Sequence, residues 1–124
     1  MVVESRASDK RRLRRRQLIY YLKVAERNTD RLVGRLVDVT TEGMMLISSE
    51  PVEMNRVFQL TLDLPEEMAG GPREIGLEAR SLWSKKDVNP DFLLSGFEFV
   101  SVAPEDLVII TDLIRQYELP GNPG

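Results

Sequence analysis

The sequence predicts a mainly β domain, a six-stranded antiparallel β-barrel with one C-terminal α-helix. Three observations lead there: six short apolar runs separated by turn signals, two-residue alternation in the clearest of them, and a change to helical spacing only after Pro104.

The first run, Leu18 to Glu26, sets Leu22 and Val24 against Tyr21, Lys23 and Ala25, and its aromatic and β-branched content favours a strand. Asn28-Thr29-Asp30 turns the chain into a second run, Arg31 to Asp38, which leads through Asp38-Val39-Thr40-Thr41-Glu42-Gly43 into a third, Met44 to Ile47; the tight connection reads as a hairpin. Val57 to Leu64 places Phe58, Leu60, Leu62 and Leu64 on one face and Gln59, Thr61 and Asp63 on the other, as a half-buried antiparallel strand does. Pro65 ends it, and the Gly/Pro-punctuated residues 66–73 read as a mobile surface loop. Ile75 to Trp83 alternates through Leu77 and Ala79, and the sixth run, Phe92 to Val100, carries Gly96 at its centre. Pro104 suits a first helical turn, Glu105 and Asp106 suit its positive end, and Leu107, Ile110, Ile114 and Tyr117 recur on one face. The expected organisation is a flexible basic arm over 1–17, a barrel with its helix (about 104–118) over 18–118, and a short tail over 119–124.

Composition removes several function classes. A chain of 124 residues can bury a core without covalent staples. With no cysteine and no histidine there is no disulfide framework, no thiolate nucleophile, no usual zinc or copper ligand set and no Ser-His-Asp arrangement. No run approaches the length that crosses a bilayer, and the start is charged where a signal core would be apolar, so a soluble, cytoplasmic protein without membrane insertion is expected. The net charge of -3 conceals a split: residues 1–35 hold 11 basic and 4 acidic side chains, leaving a head of +7 on a body of -10. Such a head suits an anionic partner or the acidic body itself.

Two elements carry chemistry. Arg11, Arg12, Arg14, Arg15 and Arg16 crowd into six positions, and guanidinium groups four residues apart (Arg11 with Arg15, or Arg12 with Arg16) can each fork onto phosphate oxygens. A solvated basic tail is the plainer reading of the same run. In the hairpin connection, Asp38 can accept from the N–H donors of a purine edge, Thr40 can bond in either direction, and Gly43 permits close approach to the main chain, although Asp, Thr and Gly with positive φ also make an ordinary turn. Trp83, the single tryptophan, is either a core plug or, beside Lys85 and Lys86, a half-exposed stacking face. Gly96 marks a bulge or a close packing contact.

Taken together, the arginine run before the first strand and Asp38-Val39-Thr40-Thr41-Glu42-Gly43 after the second resemble the RxxxR and D/N-x-S-x-x-G signatures of the PilZ domain, a bacterial receptor module for cyclic di-GMP. The resemblance runs on through Trp83, Gly96-Phe97-Glu98-Phe99 and Ala103-Pro104-Glu105-Asp106, covering most of residues 10–118. Thr40 stands where serine is more usual, and both arginine registers satisfy the first signature, with Arg11 and Arg15 preferred by counting back from the strand. The resemblance implies a PilZ-like split barrel, not an enzyme, that takes cyclic di-GMP and no cofactor. Arg11, Arg12, Arg15 and Arg16 would hold the phosphates and a guanine, Asp38, Thr40 and Gly43 would hold a guanine edge, and Trp83 would stack. A mechanism follows from the charges: repulsion within residues 10–16 keeps the arm open without ligand, the bound dianion folds it across the barrel, and a downstream protein partner reads the new surface, with a monomer or weak homodimer expected. The alternatives are a small barrel that binds nucleic acid, disfavoured by the acidic body, a PilZ-like interaction scaffold without a nucleotide, and an enzyme using carboxylates alone, for which no acid pair is visible.

Overall fold

The computed structural model describes residues 22–65 and 73–117. The arginine run, the loop residues 66–72 and the tail therefore lie outside the described residues. Six strands form a closed barrel in the order β1-β2-β3-β6-β5-β4: β1 (Lys23–Glu26), β2 (Leu32–Val39), β3 (Gly43–Ser48), β4 (Val57–Asp63), β5 (Glu74–Lys86) and β6 (Leu93–Ser101), followed by helix α1 (Pro104–Tyr117). Every pairing around the ring is antiparallel.

Alternation explains the interior. In β4, Phe58, Leu60 and Leu62 are buried while Val57 and Gln59 face out, as two-residue periodicity requires. Val24, Leu36, Leu46, Leu77 and Ala79 complete the lining from the other strands. Phe58 and Phe97 meet edge to face across it, with ring centroids 6.0 Å apart. The helix joins the same core through Ile110 and Leu113, both fully inaccessible, with Ile109 and Ile114 beside them. Its buried seam is thus rotated from the expected one: Leu107 is exposed and Leu113, unremarked in the periodic reading, is central. Glu105 and Asp106 in the first turn and Arg115 in the last match the helix dipole.

One buried polar group ties the barrel to the connection between β3 and β4. The Ser81 hydroxyl donates to the Glu53 carbonyl at 2.6 Å and accepts from the Arg56 amide at 3.1 Å. Removing it leaves both main-chain groups without that partner, which costs about 1–3 kcal/mol for a buried site. Ser81→Ala is therefore expected to lower unfolding stability by that amount in urea titration; a loss below about 0.5 kcal/mol, the size of an ordinary surface substitution, would refute the role. Outside, Arg56 bridges Glu26 (3.2 Å) and Glu53 (3.4 Å) and lies 4.3 Å over the Phe58 ring.

Candidate functional site

The β2–β3 corner is built by main-chain geometry. The Thr40 amide donates to the Gly43 carbonyl at 2.8 Å, and the Phe99 amide donates to the Glu42 carbonyl at 2.8 Å, which pins the corner to β6. The Thr40 hydroxyl accepts from the amides of Glu42 (3.1 Å) and Gly43 (3.2 Å). Its acceptor capacity is thus used inside the turn, and its proton faces the Gly43 carbonyl at 3.5 Å, a long bond that an outside acceptor can replace. The Asp38 carboxylate accepts from the Val39 amide at 2.9 Å through Oδ1. Asp38 lies in β2, one residue before the strand ends, so the turn proper is Thr40 to Glu42.

Gly43 has a different role from the one turn chemistry assigns. Its φ is not in the left-handed region, where Asp30 and Asn55 are the described non-glycine residues. A β-carbon there would instead collide with the carbonyl oxygen of Phe97 on the paired strand. The glycine lets β3 and β6 approach.

Two β-bulges aim the site's side chains. In β2, Gly34 and Leu36 face inward, and strict alternation would send Asp38 the same way. The register slips between Leu36 and Asp38, so Val37 is the extra residue, Asp38 pairs with Met45 and faces outward, and Val39 returns to the core. In β5, Ile75, Leu77, Ala79 and Ser81 face inward, which would bury Trp83. A second slip between Ser81 and Trp83 makes Leu82 the extra residue and turns Trp83 outward opposite Gly96. The strand then continues to Lys86, beyond the end expected at Trp83. Trp83 is 41% exposed, and the Lys85 ammonium lies 5.7 Å from its ring centroid.

These slips produce one transverse row across four strands. Asp38 pairs with Met45, Met45 with Gly96, and Gly96 with Trp83. Met45 and Gly96 were not sequence-predicted members, and only the register reveals them. Beside the row, a shallow concavity of about 420 Å³ is lined by Asp38, Thr40, Glu42, Gly43, Leu82 and Glu98, among others. Among the described residues its lining holds three carboxylates and no lysine or arginine. A larger concavity of about 520 Å³ lies toward the other end of β2, around Arg31 to Arg35 and Phe92, and contains none of the predicted residues that are described. Arg11, Arg12, Arg15 and Arg16 lie outside the described residues, but the point where their segment enters the barrel does not: the Leu22 carbonyl accepts from the Leu36 amide at 2.9 Å, two residues before Asp38. Among the described residues there is no metal-binding cluster, and no helix is long and apolar enough to cross a membrane.

A closed six-stranded barrel with one terminal helix and an outward-facing row beside an acidic corner defines a small β-barrel module. The PilZ domain matches over residues 6–116, and the chain belongs to that family. Solved structures agree on the fold. The Bacillus subtilis inhibitor of motility MotI/DgrA aligns with a TM-score of 0.62 at 17% identity, covering 77% of this chain and 46% of that one. The apo MrkH of K. pneumonia aligns at 0.58 and 15%, covering 77% and 46%. The PilZ domain of Escherichia coli YcgR, solved with c-di-GMP, aligns at 0.55 and 17%, covering 77% and 82%. This chain therefore spans just under half the length of MotI and MrkH. No curated protein matches it.

Proposed function

We propose that this PilZ domain is a receptor for cyclic di-GMP rather than an enzyme, and that the bound dinucleotide draws the arginine arm across the barrel to make a surface read by a protein partner. The observation that carries this reading is the Leu22–Leu36 hydrogen bond, which roots the arm beside Asp38. Arg15 is seven residues from that root, a reach of at most about 25 Å.

Charge divides the work. The acidic corner suits guanine, whose edge presents N–H donors, and repels phosphate; the phosphates require the guanidinium groups of Arg11 or Arg12 and Arg15 or Arg16. Four charge-assisted bonds at about 1.5–3 kcal/mol each are nearly offset by fixing about six arm residues at about 1–2 kcal/mol each. Net affinity then comes from groups the barrel already holds: Asp38, the Thr40 hydroxyl, the Gly43 corner and the Trp83 ring. Structures of E. coli YcgR and Borreliella burgdorferi PlzA with c-di-GMP support the ligand choice.

Isothermal titration of the full chain with cyclic di-GMP tests the reading. Micromolar binding is expected, with Arg15→Ala and Asp38→Ala each weakening it at least tenfold, about 1.4 kcal/mol. Absence of heat with the wild type, or unchanged affinity in both variants, would overturn it.

A further inference from the structure

Trp83 and Gly96 are a single device. The pairing of β5 with β6 sets them directly opposite each other on the outer face. A β-carbon built on Gly96 would fall within 3.0 Å of Nε1, Cε2 and Cζ2 of the indole. The tryptophan side chain therefore leaves β5 and occupies the volume above β6 that any other residue at position 96 would fill. That displacement carries the ring toward Met45 and Asp38, which follow in the same row on β3 and β2. It also accounts for the burial of Gly96, an outward-facing residue covered by the ring.

We infer that Gly96 is a positioning residue for ligand recognition: it seats the Trp83 indole over β6, at the distance from Asp38 at which one bound nucleotide can both stack on the ring and present its base edge to the carboxylate. This rests on the proposed cyclic di-GMP site and adds to it a specificity element that contributes no side chain of its own. Adjacent strands lie about 4.8 Å apart, so an indole confined to β5 would stand three strand spacings from Asp38, about 14 Å along the surface, whereas one lying over β6 stands about 10 Å away. The Leu82 bulge turns the side chain outward and Gly96 then lets it fold inward along the row; neither is sufficient alone.

Because Trp83 is the single tryptophan, its fluorescence reports on the seat without any ligand. In the free full-length protein, Gly96→Ala is expected to raise acrylamide quenching of that fluorescence, since the added methyl lifts the ring off β6; unchanged quenching and emission would overturn the inference. In titrations with cyclic di-GMP, Gly96→Ala is expected to weaken binding about tenfold, about 1.4 kcal/mol, and to have less than a twofold effect when Trp83 is already alanine. Equal weakening in both backgrounds would refute a role through the ring. Should Gly96→Ala not fold, Trp83→Phe serves instead: it retains a ring but lacks the pyrrole edge that reaches over Gly96, and is expected to bind about as weakly as Trp83→Ala, wild-type affinity being the overturning result. If the wild type gives no heat while Gly96→Ala still changes the quenching, the ligand assignment fails and the seating role in the free protein stands; the recognition role falls with the ligand.

Discussion

Gly43→Ala is expected to destabilise the domain by about 3 kcal/mol, toward the upper end of the range for overpacked sites. The sign is the informative part. Gly43 sits in a strand with φ outside the left-handed region, and at such a position replacing glycine ordinarily stabilises by about 0.4–1 kcal/mol, because the unfolded chain loses freedom. Here the new methyl would overlap the Phe97 carbonyl oxygen, a main-chain atom held in the β3–β6 ladder that cannot rotate away. The collision outweighs the entropic gain severalfold. Relief requires β3 to part from β6 at the rung that also anchors the Thr40 to Glu42 turn, so affinity for cyclic di-GMP should fall together with stability. Urea-induced unfolding followed by circular dichroism gives the sign directly; an alanine variant as stable as the wild type or more so would show that the two strands can separate at no cost.

Leu113→Ala is expected to cost about 3–4 kcal/mol, as a fully buried leucine does when its cavity cannot collapse. Among the described residues of the helix, Leu113 and Ile110 have no solvent exposure, and they face a core whose other members lie on or beside the barrel strands. Leu107→Ala, one helical face away and 37% exposed, should cost less than 1 kcal/mol. Equal effects of the two substitutions in thermal or urea unfolding would mean that α1 is not seated by Leu113.

The pair of helix substitutions also marks where sequence reasoning succeeds and where it stops. Period alone established that residues from Pro104 onward form one amphipathic helix, because apolar spacing of three and four is a local property. Which apolar residues face the barrel depends on the angle at which the helix lies on it, and that is a tertiary property. The strands divide in the same way. β4 was readable almost residue by residue, since its alternation is unbroken from Phe58 to Leu62. β2 and β5 were readable as strands, yet alternation carried through Gly34 and Leu36, or through Ile75 to Ser81, sends Asp38 and Trp83 into the core. Each faces solvent because of one extra residue, Val37 or Leu82, and neither valine nor leucine announces a bulge. Gly43 stands out in the sequence as a turn glycine, whereas the structure gives it a packing role between β3 and β6. Met45 belongs to the row through partners 51 and 7 positions away along the chain in Gly96 and Asp38, a relation no local pattern contains.

The antiparallel pair of β5 and β6 has one further consequence. On the β4 side, β5 is hydrogen-bonded as far as Ser81, which accepts from the Asn55 amide and donates to the Arg56 carbonyl; from Leu82 to Lys86, β6 alone lies beside it among the described residues. Among the described residues, 82–86 therefore offer a stretch of ladder without a strand on one flank, the kind of flank on which a foreign chain extends a sheet. The kink at Leu82 twists this flank, and Lys85 and Lys86 line its outer end, both features that discourage such growth. Growth of the sheet by a second chain is thereby opposed along this end of β5.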